Sequence, residues 1–284
     1  MPVVALGLNR GPSATPLQMK LNLDASVPAE RAVITRLESG VSFEPDVANV
    51  FTRALRAGDV VADIGANIGY LTVLAALSVR PSGRVVAFEP DPANIERLRA
   101  NLALNNCTNV TVVEKAVSNR AGEVEFFINS DNSGGNALWD VSLFPENVKS
   151  QATPKRIVVE ATTLDAEWQR RGMAAPRLIK IDTEGAEQLI MEGGREVLAQ
   201  TRFTIAELHS FGLPLLGCSQ ESLRATAEQL GYSTFGLLFS GELPRYFPPA
   251  TRIEHPCAVN LLFSRPEWIG ELWPAAIFDP NDPR

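Results

Sequence analysis

Residues 60–72, VVADIGANIGYLT, constrain the fold more than any other stretch. An apolar run of strand length ends in Asp63. A turn with Gly65 and Gly69 follows, and an apolar helical pattern begins at Tyr70. A strand that breaks into a glycine turn and restarts as a helix is the opening unit of a nucleotide-binding α/β sheet. Gly65 lets the backbone pass close to a ligand, because no side chain intervenes. Gly69 lets the helix start tight against the strand. Asn67 belongs to a residue type that tolerates the left-handed conformation. The first N–H groups of the helix then face the anionic part of a ligand.

The same alternation continues down the chain. SFEPDVANVFTRALRAGD (42–59) has helical apolar spacing and a stop at Gly58. Strands are expected at 84–90, 110–116, 123–128, 156–162, 177–182, 202–208, 233–239 and 258–264. Helices are expected at 70–77, at 92–104 with Asp91 as N-cap and Pro92 at the first helical position, at AEQLIMEG and at SLRATAEQLG. Such a chain forms a largely parallel sheet with helices on both faces. The last two strands have no helical pattern between them and are expected to pair antiparallel. Residues 1–41, broken by Gly11, Pro12, Pro16 and Pro28, read as an extended or hairpin-forming cap. Residues 42–266 form the main domain, and 267–284 read as a tail laid along the surface. The Asn-, Ser- and Gly-rich segment 129–155 breaks the rhythm and is read as a flap near the site.

Composition excludes some functions. With 284 residues, 45% of them apolar, the chain can bury one sizeable core. Its net charge is -7 and no run of Lys and Arg stands out, so no nucleic-acid partner is expected. Cys107, Cys218 and Cys257 are odd in number, lack zinc spacing and read as reduced, buried thiols. No apolar window is long enough to span a membrane, and the first residues lack a signal-peptide pattern. The expected location is cytoplasmic.

Glu89 ends the second strand, 20 residues beyond Gly69. A carboxylate there can accept both hydroxyls of a ribose. The dinucleotide fingerprint G-x-G-x-x-G would require glycine at 67 and 70, where the chain has Asn67 and Tyr70. That turn has less room for a pyrophosphate and favours a smaller nucleoside ligand over NAD.

DIGANIGYLT (63–72), AFEPDPANIERLRANLALNN (87–106), KAVSNRAGEVEF (115–126), TTLDAEW (162–168), LIKIDTEGAE (178–187) and IAELHS (205–210) together resemble the FkbM family of S-adenosylmethionine-dependent methyltransferases. The resemblance runs over roughly 42–264; the first 40 and last 20 residues carry little of it. It implies an α/β fold, the Rossmann-like seven-stranded class I methyltransferase sheet, mostly parallel with one antiparallel strand. It also implies S-adenosylmethionine as cofactor, S-adenosylhomocysteine as product, and a small-molecule hydroxyl acceptor on a sugar, glycolipid or polyketide-type natural product. By carry-over, Asp63 and the turn Gly65, Ala66, Asn67, Gly69 and Tyr70 hold the methionine end. Glu89 takes the ribose, Pro90 and Ala116 border the adenine, and Asp182 faces the methionine amino group or the acceptor. Glu44 holds a similar family position and is assigned to the methionine moiety.

Methyl transfer is an in-line displacement, and a hydroxyl acceptor gains from losing its proton during attack. His209, after the fifth main strand, is the leading candidate base, with Asp182 and Glu184 as rivals; Glu207 is a further carboxylate at that edge. Asp182 and Glu184 could also hold a divalent ion, but no further ligand pattern accompanies them and no metal is expected. Ser133, Asn136 and Trp139 in the irregular segment, with Glu207, are the expected acceptor contacts. Two other readings stay open: an NAD(P)-dependent oxidoreductase, and a non-catalytic domain that binds S-adenosylmethionine or S-adenosylhomocysteine.

Overall fold

The computed structural model describes residues 3–8, 17–39, 42–237, 243–255 and 258–274. Its strands are β1 Val3–Leu8, β2 Leu17–Asn22, β3 Val60–Ile64, β4 Arg84–Phe88, β5 Val110–Val113, β6 Ala116–Val117, β7 Gly122–Ile128, β8 Lys155–Thr162, β9 Leu178–Ile181, β10 Phe203–His209, β11 Ser233–Gly236, β12 Arg245–Phe247 and β13 Ala258–Ser264. Its helices are α1 Pro28–Glu38, α2 Pro45–Ala54, α3 Tyr70–Val79, α4 Pro92–Leu104, α5 Val148–Ala152, α6 Leu164–Arg171, α7 Glu187–Glu192, α8 Arg195–Leu198, α9 Gly212–Leu215, α10 Gln220–Gln229 and α11 Pro266–Leu272.

The main sheet runs β12-β11-β13-β10-β9-β3-β4-β5. The pairs from β10 to β5 are parallel, and β13 lies antiparallel between β10 and β11. This is the class I methyltransferase order, with the last long strand inserted between its two predecessors. The sheet differs from the expected seven strands by one: β12 adds an antiparallel edge to β11. The expected strand at 110–116 is also split. Its end, β6, leaves the main sheet and joins β8 and β7 in a separate three-stranded sheet.

Period-two alternation explains the two-faced core. Val61, Val85, Leu178 and Ile205 point into one apolar cluster. Their neighbours Ala62, Val86, Ile179 and Ala206 point into the other. Covering both faces with helices leaves the central strands almost fully buried. Helix α4 begins where its sequence predicts: the Asp91 carboxylate accepts the Ala93 N–H at 3.0 Å, and Pro92 follows. Helix α2 stops at Ala54, earlier than its glycine suggested; Gly58 sits in the following turn with φ 90°.

The chain ends are more than appendages. β1 pairs antiparallel with β2, and Met19, Leu21 and Leu23 on the β2 side are fully buried in the main core. The Asn22 N–H donates to Asn101 Oδ1 at 2.7 Å, and Asn101 Nδ2 donates to the Ile68 carbonyl at 2.8 Å. One asparagine thus ties the N-terminal segment to the turn after β3. The surface tail expected from 267 onward is corrected over its described part. Its residues continue α11, whose Ile269 and Leu272, with Trp273, pack into the core. Cys107 and Cys218 are free thiols, and Cys257 lies outside the described residues.

Candidate active site

β3 and β4 end side by side, with Ile64 opposite Phe88. The turn after β3 folds over the end of β4: the Gly65 and Ala66 N–H groups both donate to the Phe88 carbonyl, at 3.0 and 2.9 Å. Asn67 then adopts φ 49°, and its N–H donates to Glu89 Oε2 at 2.8 Å. The Asp91 N–H donates to Glu89 Oε1 at 2.9 Å. Glu89 is therefore held at both oxygens, and the Asn94 side chain adds to the groups that favour its charged form. Burial pushes its carboxyl up to about 7, opposed by the Asp91 and Asn67 N–H groups.

The glycines act differently from the sequence expectation. A Cβ on Gly65 would lie 1.8 Å from the Asp182 carbonyl oxygen. Gly65, at φ 83°, is required for the turn to meet the end of β9. A Cβ on Gly69 would lie 2.4 Å from Leu98, so Gly69 serves the contact of its turn with α4, and it borders neither cavity described next.

Two adjoining cavities open beyond the carboxyl ends of the strands. The first is the smaller and is partly open to solvent. Ile64, Phe88, Val117 and Phe126 give it apolar walls, with Glu89, Pro90 and Ala116 beside them. The second, the larger, brings together Glu44, Asp63, Ala66, Tyr70, Glu184 and Glu207. Gly65, Asn67, Ser133, Gly134 and Asp182 border both. The described N-terminal residues Glu30, Val33 and Phe43 also line the second.

The second cavity is rich in buried carboxyls. Asp63 accepts the Thr72 hydroxyl, and burial raises it to about 6. Glu44 sits at φ 44°, a strained setting for a non-glycine residue. Burial lifts its carboxyl to about 7, with Lys180 opposing and Asp182 adding to the rise. Burial, then Asp182 and Glu184, raises Glu207 well above the usual range. Oε2 of Glu44, Oε2 of Glu207 and Oδ1 of Asn67 make no hydrogen bond among the described residues. Asp182, Glu184 and Glu207 each bring one oxygen within 4.8 Å of the others.

His209 is corrected as the leading base. Its Nδ1 accepts the Gly212 N–H at 2.8 Å, which places the single proton of a neutral ring on Nε2. Nε2 lies 3.0 Å from Glu184 Oε2 and donates to it. No ring lone pair faces either cavity, and His209 borders neither. Burial lowers its proton affinity, but Glu184, with Glu187 and Asp182 behind it, raises it above the ordinary histidine value.

Trp139 is corrected as an acceptor contact. It is buried in a small satellite core, and its Nε1–H donates to the Glu184 carbonyl at 2.6 Å. Glu184 sits at φ 58°, so Trp139 and His209 hold a strained residue from its backbone and its side chain. Asn136 borders the first cavity, but both ends of its amide are engaged: Nδ2 donates to Asp91 Oδ2 at 3.0 Å and Oδ1 accepts the Asn129 N–H at 2.8 Å. Ser133 borders both cavities.

Glu187 was missed, although it closes the KIDTEGAE stretch. Its Oε1 accepts the Thr183 N–H and hydroxyl, both at 3.0 Å, and the Gly185 N–H at 3.1 Å. One buried carboxyl thus shapes the loop that presents Asp182 and Glu184. Lys180, in the same stretch, was also missed and is fully buried.

Comparison with known proteins decides the family. The model of the methyltransferase FkbM domain matches residues 63–234, more than half of the chain. The chain belongs to the FkbM methyltransferase domain family. It is 34% identical to 2-O-methyltransferase NoeI of Sinorhizobium fredii, over 52% of this chain and 62% of that protein. It is 31% identical to 31-O-demethyl-FK506 methyltransferase FkbM of Streptomyces tacrolimicus, over 55% of this chain and 67% of that one. It is 25% identical to the hexuronic acid methyltransferase AglP of Haloferax volcanii, over 59% and 63%. The chain thus spans less than two thirds of the length of NoeI and AglP, and 67% of that of FkbM. Among the described residues no helix is long and apolar enough to cross a membrane.

Proposed function

We propose that the chain is an S-adenosylmethionine-dependent O-methyltransferase acting on a hydroxyl of a sugar or a related natural product. The observation that carries this is the pair of cavities joined at Gly65, Asn67 and Asp182. The first is lined by Ile64, Phe88, Val117 and Phe126 with the Glu89 carboxyl beside them, which fits an adenine and its ribose. The second offers buried acceptors without partners, Glu44 Oε2 among them, which fit an ammonium. The relatives support oxygen as the acceptor atom, since two of their names specify O-methylation.

Bound S-adenosylmethionine supplies a methyl group activated on a sulfonium. Glu89 takes the two ribose hydroxyls on a carboxyl that the Asn67 and Asp91 N–H groups hold in place. Asp63, Glu44 and Asp182 offset the positive charge of the methionine end. Glu184 is the proton acceptor for the attacking hydroxyl. His209 occupies one of its oxygens and leaves the other to the cavity. The acceptor is read as an uncharged polyol. The wall carries Glu44, Asp63, Asp182, Glu184 and Glu207, while the Lys180 ammonium is held by Asp182 and Asn260.

The test is methyl transfer from labelled S-adenosylmethionine to a panel of hydroxylated acceptors, sugars and macrolides included. Label in a methyl ether is expected. Label found only in amines would overturn the oxygen assignment.

A further inference from the structure

Three carboxylate oxygens within 4.8 Å of one another resemble a site waiting for a divalent ion. The chain already holds a cation beside one of them, Asp182. Lys180 lies in the interior of β9, flanked in register by Asp63 of β3 and Ile205 of β10. Its side chain is fully buried. Nζ donates to Asp182 Oδ2 at 3.0 Å and to Asn260 Oδ1 at 3.3 Å. Asn260 of β13, opposite Glu207 in the ladder, is braced in turn by Asp46 Oδ2 at 3.5 Å from its Nδ2.

An ammonium buried in mid-sheet is costly unless carboxylates compensate it. Here they do, on the cavity side. Asp182 does so by direct contact, and Glu44 and Glu207 line the cavity that Lys180 also borders.

We propose that Lys180 is a positioning residue, a fixed counter-cation that touches the Asp182–Glu184–Glu207 cluster at Asp182 and supplies there the positive charge that a divalent metal would otherwise bring. A cation anchored to a central strand cannot dissociate. It fixes Asp182 Oδ2 and leaves Oδ1 to the wall shared by the two cavities. It also leaves Glu184 to His209 rather than to a metal, so that one Glu184 oxygen stays available for a proton. Only that last consequence rests on the methyl-transfer reading; the placement of the charge does not.

Manganese tests this without any acceptor. In wild-type protein, Mn²⁺ should show no bound fraction by electron paramagnetic resonance up to roughly the millimolar range of weak carboxylate sites. Chelator treatment should change neither melting temperature nor the affinity for S-adenosylhomocysteine. Lys180→Met removes the charge and keeps the apolar stem. It should gain bound Mn²⁺, and adding Glu207→Gln should abolish that gain. A bound Mn²⁺ signal in wild type, or a melt that the chelator lowers, would overturn the proposal. So would a folded Lys180→Met that binds no Mn²⁺. If Lys180→Met fails to fold, the wild-type arms decide. Failure of untreated wild type to bind S-adenosylhomocysteine would count against the methyltransferase reading alone.

Discussion

Replacing Glu89 by glutamine changes one oxygen to an amino group and nothing in size. Both carboxylate oxygens accept a backbone N–H, from Asn67 at 2.8 Å and Asp91 at 2.9 Å. The amide keeps one acceptor, so one of these buried N–H groups meets a donor. An unsatisfied buried group of this kind costs about 1–3 kcal/mol. For a domain of this size, each kcal/mol corresponds to roughly 2–4 °C in melting temperature. The ligand loses more, because a hydrogen bond to a charged acceptor is worth about 1.5–3 kcal/mol. S-adenosylhomocysteine affinity should therefore fall roughly 10- to 150-fold at pH 8. Glutamine mimics the protonated acid, and burial holds Glu89 near 7. The difference between variant and wild type should thus shrink as pH drops below that value. Calorimetric titration at pH 8 and pH 6, with a thermal melt as the fold control, reads all of this. Wild-type affinity at pH 8 in a normally folded variant would refute the ribose role.

Glu184→Gln should lower turnover by roughly 10²- to 10⁴-fold, the usual worth of a general base, with S-adenosylhomocysteine affinity nearly intact; unchanged turnover with chemistry rate-limiting would remove Glu184 as the base. His209→Gln should lower turnover less, since it only loosens Glu184; a loss as large as that of Glu184→Gln would restore the histidine as the primary group. Gly65→Ala places a methyl 1.8 Å from the Asp182 carbonyl at φ 83° and should destabilise by about 2–5 kcal/mol in denaturant titration, or prevent folding; a neutral result would contradict the close approach of the two loops. Burial raises Glu44, Glu89 and Glu187 to about 7 and Asp63 to about 6. The folded state then holds protons that the unfolded state releases, so the ligand-free protein should lose stability as pH rises from about 4.5 to about 7. A melting temperature that rises across that window would contradict those buried acids.

The main sheet was legible because its signals are local. Val60–Ile64, Arg84–Phe88 and Leu178–Ile181 are short apolar runs bounded by turns, and Asp91 with Pro92 marks a helix start that the structure keeps. β12 was not legible, because three residues are too few to show alternation, and Arg245–Phe247 is a strand only because β11 offers it an edge. The helical turn of α11 was hidden by the prolines around it, and its burial depends on a core assembled from distant strands. At the site, Glu89 could be placed from its strand end and its spacing from Gly69, whereas Asp63 and Asp182 were assigned through the family resemblance. His209 and Trp139 could not, because what each side chain bonds to is decided by Gly212 and by the Glu184 carbonyl, contacts that no spacing in the chain announces. Lys180 escaped notice because a lysine in an apolar strand reads as an interruption until its carboxylate partners are seen around it.

Binding of S-adenosylmethionine by the joined cavities is tested most directly by calorimetric titration of the wild-type chain with S-adenosylhomocysteine, with NAD⁺ as the comparator. Saturable one-to-one binding of S-adenosylhomocysteine, weakened by Glu89→Gln, is expected, with no binding of NAD⁺. Saturable binding of NAD⁺ with none of S-adenosylhomocysteine would contradict it.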